Sequence, residues 1–185
     1  MTITRIAAGL LALLLSGSLA ACTSTSTGDP RPAHTSTTTS AETSRPREIK
    51  LDGLDPCALL PEADYADYAL DKPGKPGTTK RGEPECVWNG DAGFLGTVLV
   101  TYEGVNAQLG KLGKVQLTDP INDFPAYTVV LPDTDVSICA VLVDVADGQY
   151  LDVQAGVFGD RPGIPPACEY AHQFATSVMS TLVAS

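Results

Sequence analysis

The sequence predicts an α+β domain in which an antiparallel sheet of about four to six strands packs against a short N-terminal helix and a C-terminal helix. Three observations support this fold class: an apolar hairpin pattern over residues 136–158, an amphipathic helical pattern from residue 165 onward, and four cysteines in the same part of the chain. The cysteines add two disulfides to the predicted fold.

The hairpin is the clearest strand signal. Residues 137–143, SICAVLV, are apolar on both faces, which is typical of a central strand that is covered on both sides. An Asp147-Gly148 turn follows, and apolar residues then alternate with others over residues 151–158, which predicts a half-exposed strand that returns beside the first.

The C-terminal helix is predicted to begin near Pro165-Pro166-Ala167. At about 100° of rotation per residue, the apolar and the polar side chains of this helix fall on opposite faces. The apolar stripe consists of Tyr170, Ala171, Phe174, Ala175, Val178 and Leu182, and the polar stripe of Glu169, His172, Gln173, Thr176 and Ser180.

The first half of the domain gives weaker signals. Asp55 and Pro56 predict a helix start, which Pro61 interrupts or restarts. The remaining expectations are a loop over 72–84, strands over 85–89, 94–102 and 127–131, and a short helix over 105–112.

Four cysteines, Cys57, Cys86, Cys139 and Cys168, allow three disulfide pairings. The expected layout favours Cys57 with Cys86 and Cys139 with Cys168, because each pair then joins a helix to a strand. A zinc site is the competing use of four cysteines, but the sequence lacks the paired C-x-x-C spacing of such sites.

The N-terminus predicts export and lipidation. Arg5 precedes an apolar run, and residues 6–21 are shorter than the roughly 20 residues of a membrane-spanning helix. Leu19-Ala20-Ala21-Cys22 resembles the lipobox of bacterial lipoproteins, which implies cleavage before Cys22 and attachment of a diacylglyceryl group and acyl chains such as palmitate. The alternative is ordinary signal-peptidase cleavage, which would leave a secreted protein with an odd fifth cysteine.

The chain therefore divides into a lipoprotein signal peptide (1–21), a Ser/Thr/Pro-rich tether that is expected to be disordered (22–48) and one α+β domain (49–185). The formal net charge of −10 excludes nucleic acid as an expected partner and offers no polybasic contact with anionic lipid. Membrane attachment is expected through the acyl chains, on the outer face of the cell membrane.

Three segments support a family resemblance: GLDPCALL at 53–60, CVW at 86–88, and CAVLVDVADGQ at 139–149. With a cysteine that opens the final helix, they resemble the actinobacterial lipoproteins grouped as domain of unknown function 3558. The resemblance implies an α+β domain on the outer face of the membrane, and it implies no activity.

The residues give little support for catalysis, so we expect no enzyme, no metal and no cofactor. His34 lies in the tether, and His172 with Glu169 is more simply a solvated pair than a metal site. Asp144 and Asp147 are too few for a calcium loop, and Trp88 is expected to pack on a disulfide rather than stack on a ligand.

Two hypotheses for function follow. The first is a non-enzymatic, membrane-anchored interaction module of the cell envelope with an envelope protein as partner. The alternative is a carrier or sensor that binds an apolar envelope lipid or small molecule between the final helix and the sheet. That alternative expects a cavity lined by Tyr170, Phe174, Tyr127 and Val153.

Overall fold

Seven antiparallel strands form one sheet in the computed structural model, which describes residues 44–91, 93–112, 114–131, 136–159 and 162–185. The strands are β1 (Lys75–Thr78), β2 (Pro84–Gly90), β3 (Gly93–Val100), β4 (Lys114–Ile121), β5 (Phe124–Leu131), β6 (Ser137–Ala146) and β7 (Gln149–Val157). Their order across the sheet is β1-β2-β3-β7-β6-β5-β4. The antiparallel sheet is confirmed, but the expected number of four to six strands is too low.

The additional strands are the two edges of the sheet. β1 lies within 72–84, where prolines and glycines predict a loop, and all four of its residues are exposed. An edge strand tolerates proline because one side of its backbone needs no partner. β4 carries Lys114, Asp119 and Pro120 and is mostly exposed, so it lacks the apolar alternation that predicts a strand.

The helical segments also differ in part from the predictions. The C-terminal helix, α1, spans Ala167–Ala184, as the amphipathic pattern predicts. The N-terminal helix consists of two short 3₁₀ segments, Pro56–Leu59 and Glu62–Tyr68, and the Asp55 carboxylate accepts a hydrogen bond from the Cys57 N–H at 2.9 Å. The helix predicted over 105–112 is reduced to a 3₁₀ turn at Val105–Ala107.

The two faces of the sheet are covered by different segments. The helix face packs against α1 and the N-terminal 3₁₀ segments, and its buried strand residues include Leu95, Leu99, Val141, Val143, Leu151, Val153 and Ala155. The loop face packs against residues that follow β3, and its cluster consists of Val98, Val100, Val105, Val129, Ala140, Leu142 and Tyr150. β6 is therefore covered on both sides, as its apolar run predicts.

Two disulfides connect the helical segments to the sheet. Cys57 is bonded to Cys86 on β2, with their Cα atoms 5.1 Å apart, and Cys139 on β6 is bonded to Cys168 in the first turn of α1, with Cα atoms 4.9 Å apart. This is the sequential pairing that the expected layout favours.

Residues 44–48, at the end of the predicted tether, contact the domain. Arg45 forms ion pairs with Asp144 and Asp147, and Arg47 donates a hydrogen bond to the carbonyl of Val183. The signal peptide and Cys22 lie outside the described residues. Among the helices that are described, none is long and apolar enough to cross a membrane.

Candidate functional site

A groove of about 840 Å³ opens at the end of the sheet where β5 and β7 end and β6 begins. Strand residues such as Val130, Leu131 and Ile138 line one side, and residues between 162 and 168, which lead into α1, line the other. Small-molecule sites span roughly 300–1,000 Å³, so the groove is large enough to receive a ligand or several side chains of a partner.

The local sequence explains why the segment before α1 forms one wall of the groove. Pro165 and Pro166 have restricted backbone angles and lack an N–H, so the chain stays extended until α1 begins. The Tyr170 N–H then bonds to the carbonyl of Pro166 at 2.9 Å. Because the disulfide between Cys139 and Cys168 ties the first turn of α1 to β6, both walls of the groove are held at a fixed spacing.

The groove has an apolar surface. Its described lining contains no charged or titrating side chain, and Ser137 contributes the one side-chain hydroxyl of that lining. Val130, on the strand side, is 51% exposed, so the apolar surface reaches the outside of the domain. The described lining can therefore bury apolar groups of a ligand or partner.

One family model, described as a protein of unknown function and abbreviated DUF3558, matches residues 18–181. The chain belongs to this family. No curated protein and no solved structure matches the chain. The family that the DPCALL, C-x-W and hairpin segments predict is thus confirmed, and membership assigns no activity to the DUF3558 chain.

Trp88 of the DUF3558 domain is part of the core. It is 1% exposed, its ring packs edge-to-face on Phe174 with centroids 5.5 Å apart, and its Nε1–H donates to the Tyr65 hydroxyl at 3.4 Å. A Cβ atom added at Gly74 would overlap both Cys86 Sγ and the Trp88 ring, so the indole lies beside the first disulfide. The expected packing of Trp88 on a disulfide is confirmed.

His172 connects α1 to an edge strand. Its Nε2 is hydrogen-bonded to the Thr118 hydroxyl on β4 at 2.9 Å, while Glu169 accepts from the Gln173 amide at 3.4 Å. Within the described part of the chain, no group of three or more His, Cys, Asp or Glu is placed to hold a metal ion. The described contacts of His172 are those of a structural residue.

Asp144 and Asp147 face Arg45 at the β6–β7 turn. Burial raises the pKa of the Asp144 carboxyl, and the hydrogen bonds from Arg45, at 2.7 and 2.8 Å, oppose that rise. These acidic residues therefore hold residues 44–48 against the domain.

The cavity expected between α1 and the sheet is absent from the described structure, because the core is filled there. Tyr170, Phe174 and Val153 are at most 4% exposed and pack in the helix-face cluster, whereas Tyr127 lies on the opposite face. The expectation of a cavity at these four residues was wrong. The groove lies at the end of the sheet instead, and the one signal for it in the sequence is the Ile164-Pro165-Pro166 segment before α1.

Proposed function

We propose that this protein is a lipid-anchored, non-enzymatic binding module of the actinobacterial cell envelope, whose apolar groove receives an apolar segment of an envelope protein. The groove is the observation on which the proposal rests. The anchor is supported by the sequence around Cys22, and the family match begins at residue 18 and so includes that cysteine.

The exposure of the groove lining and the charge of the chain favour a protein segment as the occupant of the groove. The half-exposed Val130 extends the apolar surface beyond the groove, and the described lining is uncharged although the chain carries a net charge of −10. A partner segment with apolar side chains flanked by Lys or Arg would bury its apolar side chains in the groove, and its basic residues would be attracted by the net negative charge of the chain. Each fully buried aliphatic side chain contributes about 1.5–3 kcal/mol.

The alternative is a carrier of an apolar lipid or small molecule. The volume of about 840 Å³ favours this second candidate, since it falls in the range of small-molecule sites. Both candidates place the ligand in the same groove, so the nature of the bound molecule distinguishes them.

The anchor is tested by replacing Cys22 with Ala in the native host. We expect Cys22→Ala to move the protein from the membrane fraction to the medium, because the acyl chains provide the attachment. Thr23→Ala is the matched control, since it alters the neighbouring residue and keeps the thiol. Retention of the Cys22→Ala protein in the membrane fraction would contradict the lipoprotein assignment.

The groove is tested by recovering the full chain from its own membranes and identifying bound proteins and lipids by mass spectrometry. Val130→Asp places a charge in the groove, and Leu117→Asp, at a residue that is 64% exposed and outside the groove, is the matched control. We expect a partner protein with the wild type and Leu117→Asp but not with Val130→Asp. A lipid with the same pattern would establish the carrier, and equal recovery from all three proteins would refute the groove as the site.

A further inference from the structure

A second pocket, of about 320 Å³, lies on the loop face of the sheet. Polar side chains from three parts of the chain line it: Thr79, Lys80, Arg81 and Glu83 between β1 and β2, Gln108 after β3, and Tyr150, Asp152 and Gln154 on β7. It shares no lining residue with the apolar groove. Its chemistry is therefore separate from the proposed partner site.

Two carboxylates in this pocket each have one oxygen with a hydrogen bond and one without. Glu83 is 8% exposed, and its Oε1 accepts from the Tyr102 hydroxyl at 2.7 Å. Asp152 Oδ2 accepts from the Gln154 amide at 3.1 Å. Glu83 Oε2 and Asp152 Oδ1 are buried and have no hydrogen-bond partner among the described residues.

Two of the nearby cations, Arg81 and Lys111, pair with a different carboxylate, Glu103. Arg81 Nη1 donates to the Tyr102 hydroxyl at 2.8 Å and to Glu103 Oε1 at 3.3 Å, and Lys111 Nζ lies 3.6 Å from Glu103 Oε2. Across the described ranges, no ion pair includes Glu83 or Asp152. In the described structure, Glu83 and Asp152 thus each keep one buried carboxylate oxygen without a donor, and neither forms an ion pair with Lys80 or Arg81, although the charge of Arg81 acts on Glu83 from a longer distance.

We infer that this pocket binds a small organic cation whose protonated amine or guanidinium donates hydrogen bonds to Glu83 Oε2 and Asp152 Oδ1. A buried acceptor without a donor is unfavourable, and an ammonium or guanidinium supplies several donors together with a positive charge in contact with both carboxylates. Such charge-assisted bonds are roughly twice as strong as neutral ones. A metal ion fits less well, because the described residues form no cluster of three metal-ligating side chains.

The charge on Asp152 depends on pH near neutrality. Burial raises the pKa of Asp152 to about 6, the charge of Glu83 adds to the rise, and the hydrogen bond from Gln154 opposes it. Lys80, Arg81 and Tyr150 also line this pocket, and the other charged or titratable groups near it are Glu85, Tyr102, Glu103 and Lys111, while Tyr127 and Asp144 lie farther along the same face. Binding should therefore weaken as the pH falls through about 6, because protonated Asp152 no longer attracts a cation.

The experiment titrates the full chain, with its disulfides intact, with 1,5-diaminopentane and with agmatine at pH 7.5, followed by NMR chemical shifts. The neutral probe 1,5-pentanediol matches the diamine in length. We expect saturable binding of at least one of the cations with Kd below about 10 mM, and no saturation by the diol. Asp152→Asn and Glu83→Gln should each weaken binding about tenfold or more.

Glu169→Gln, which removes an exposed carboxylate on α1, is the control and should bind as the wild type does. Val130→Asp should also bind the cations as the wild type does, because Val130 lies outside this pocket. Failure of the groove proposal would therefore leave the cation-site inference unaffected. Absence of saturation by both cations would overturn the inference, as would equal affinity of Asp152→Asn, Glu83→Gln and the wild type. Binding of the diol as tightly as the diamine would show that charge is not recognised, and it would also overturn the inference.

Discussion

Replacing Asp152 with Asn measures how strongly a buried carboxylate opposes folding in this domain. Burial raises the pKa of Asp152 to about 6, compared with the ordinary value of 3.8. A tenfold change in the proton-binding constant corresponds to about 1.4 kcal/mol. Ionised Asp152 is therefore expected to lower the free energy of unfolding by about 3 kcal/mol above pH 6, relative to its protonated form.

The direction of the pH dependence follows from proton binding. Between pH 3.8 and about 6 the folded state keeps a proton on Asp152 that the unfolded state loses. The contribution of this residue to stability is thus fully present below pH 3.8 and is lost as the pH rises through about 6. The side-chain amide of the Asp152→Asn variant cannot titrate, so the substitution should remove this loss. The variant should be more stable than the wild type at pH 7, while the two proteins should be similar near pH 4.

Urea unfolding at a series of pH values, with the disulfides intact, provides the measurement. Fluorescence of Trp88 reports on the core, because it is the one tryptophan of the chain and is 1% exposed. The pKa of Asp144 is also raised by burial, but its contribution is common to both proteins and cancels in the difference. Glu169→Gln, at an exposed carboxylate, should follow the wild type at every pH.

A pH-independent difference in unfolding free energy between wild type and Asp152→Asn would refute the reasoning. It would mean that Asp152 titrates alike in the folded and unfolded states, so that its carboxylate is hydrated or neutralised by a cation of the chain. A wild type that is more stable than Asp152→Asn at pH 7 would refute it as well.

Two further substitutions test the core and the disulfides by the same unfolding assay. Phe174→Ala should lower the unfolding free energy by about 3–5 kcal/mol, because the fully buried ring packs on Trp88 and Tyr68, and a loss below 1 kcal/mol would contradict this packing. The Cys139→Ser, Cys168→Ser double variant should lose about 3.6 kcal/mol, the loop-closure value for cysteines separated by 29 positions, and an unchanged stability would exclude this disulfide.

The interior of the fold could be predicted because its apolar pattern is continuous along the chain. β6 and α1 each place several core-facing residues at strand or helix spacing, and the structure buries those residues. β7 was predicted to be half-exposed, but it has no exposed residue because it lies between β3 and β6 and both faces of the sheet are covered there. The edge strands could not be predicted in the same way. β1 and β4 are held by backbone hydrogen bonds to one neighbour each, and most of their side chains face water, so their sequences carry no apolar periodicity.

The candidate sites were harder to predict because each joins distant segments. Glu83 and Asp152 share a pocket since β3 pairs with both β2 and β7, although β4, β5 and β6 intervene in the chain between β3 and β7. The groove likewise combines the ends of three strands with the segment before α1. Their composition gave no signal either, since isolated valines, prolines and carboxylates occur throughout soluble domains.

The positions of the two sites follow from the unequal covering of the sheet. α1 has 18 residues and extends about 27 Å at 1.5 Å per residue, so it covers the helix face over β6 and β7 and leaves a filled core there. The loop face is covered by the shorter segment 101–112, which reaches Leu142 and Tyr150 but leaves Asp152 and Gln154 in an open pocket. The short covering segment is thus what allows a buried carboxylate to remain within reach of a ligand from solution.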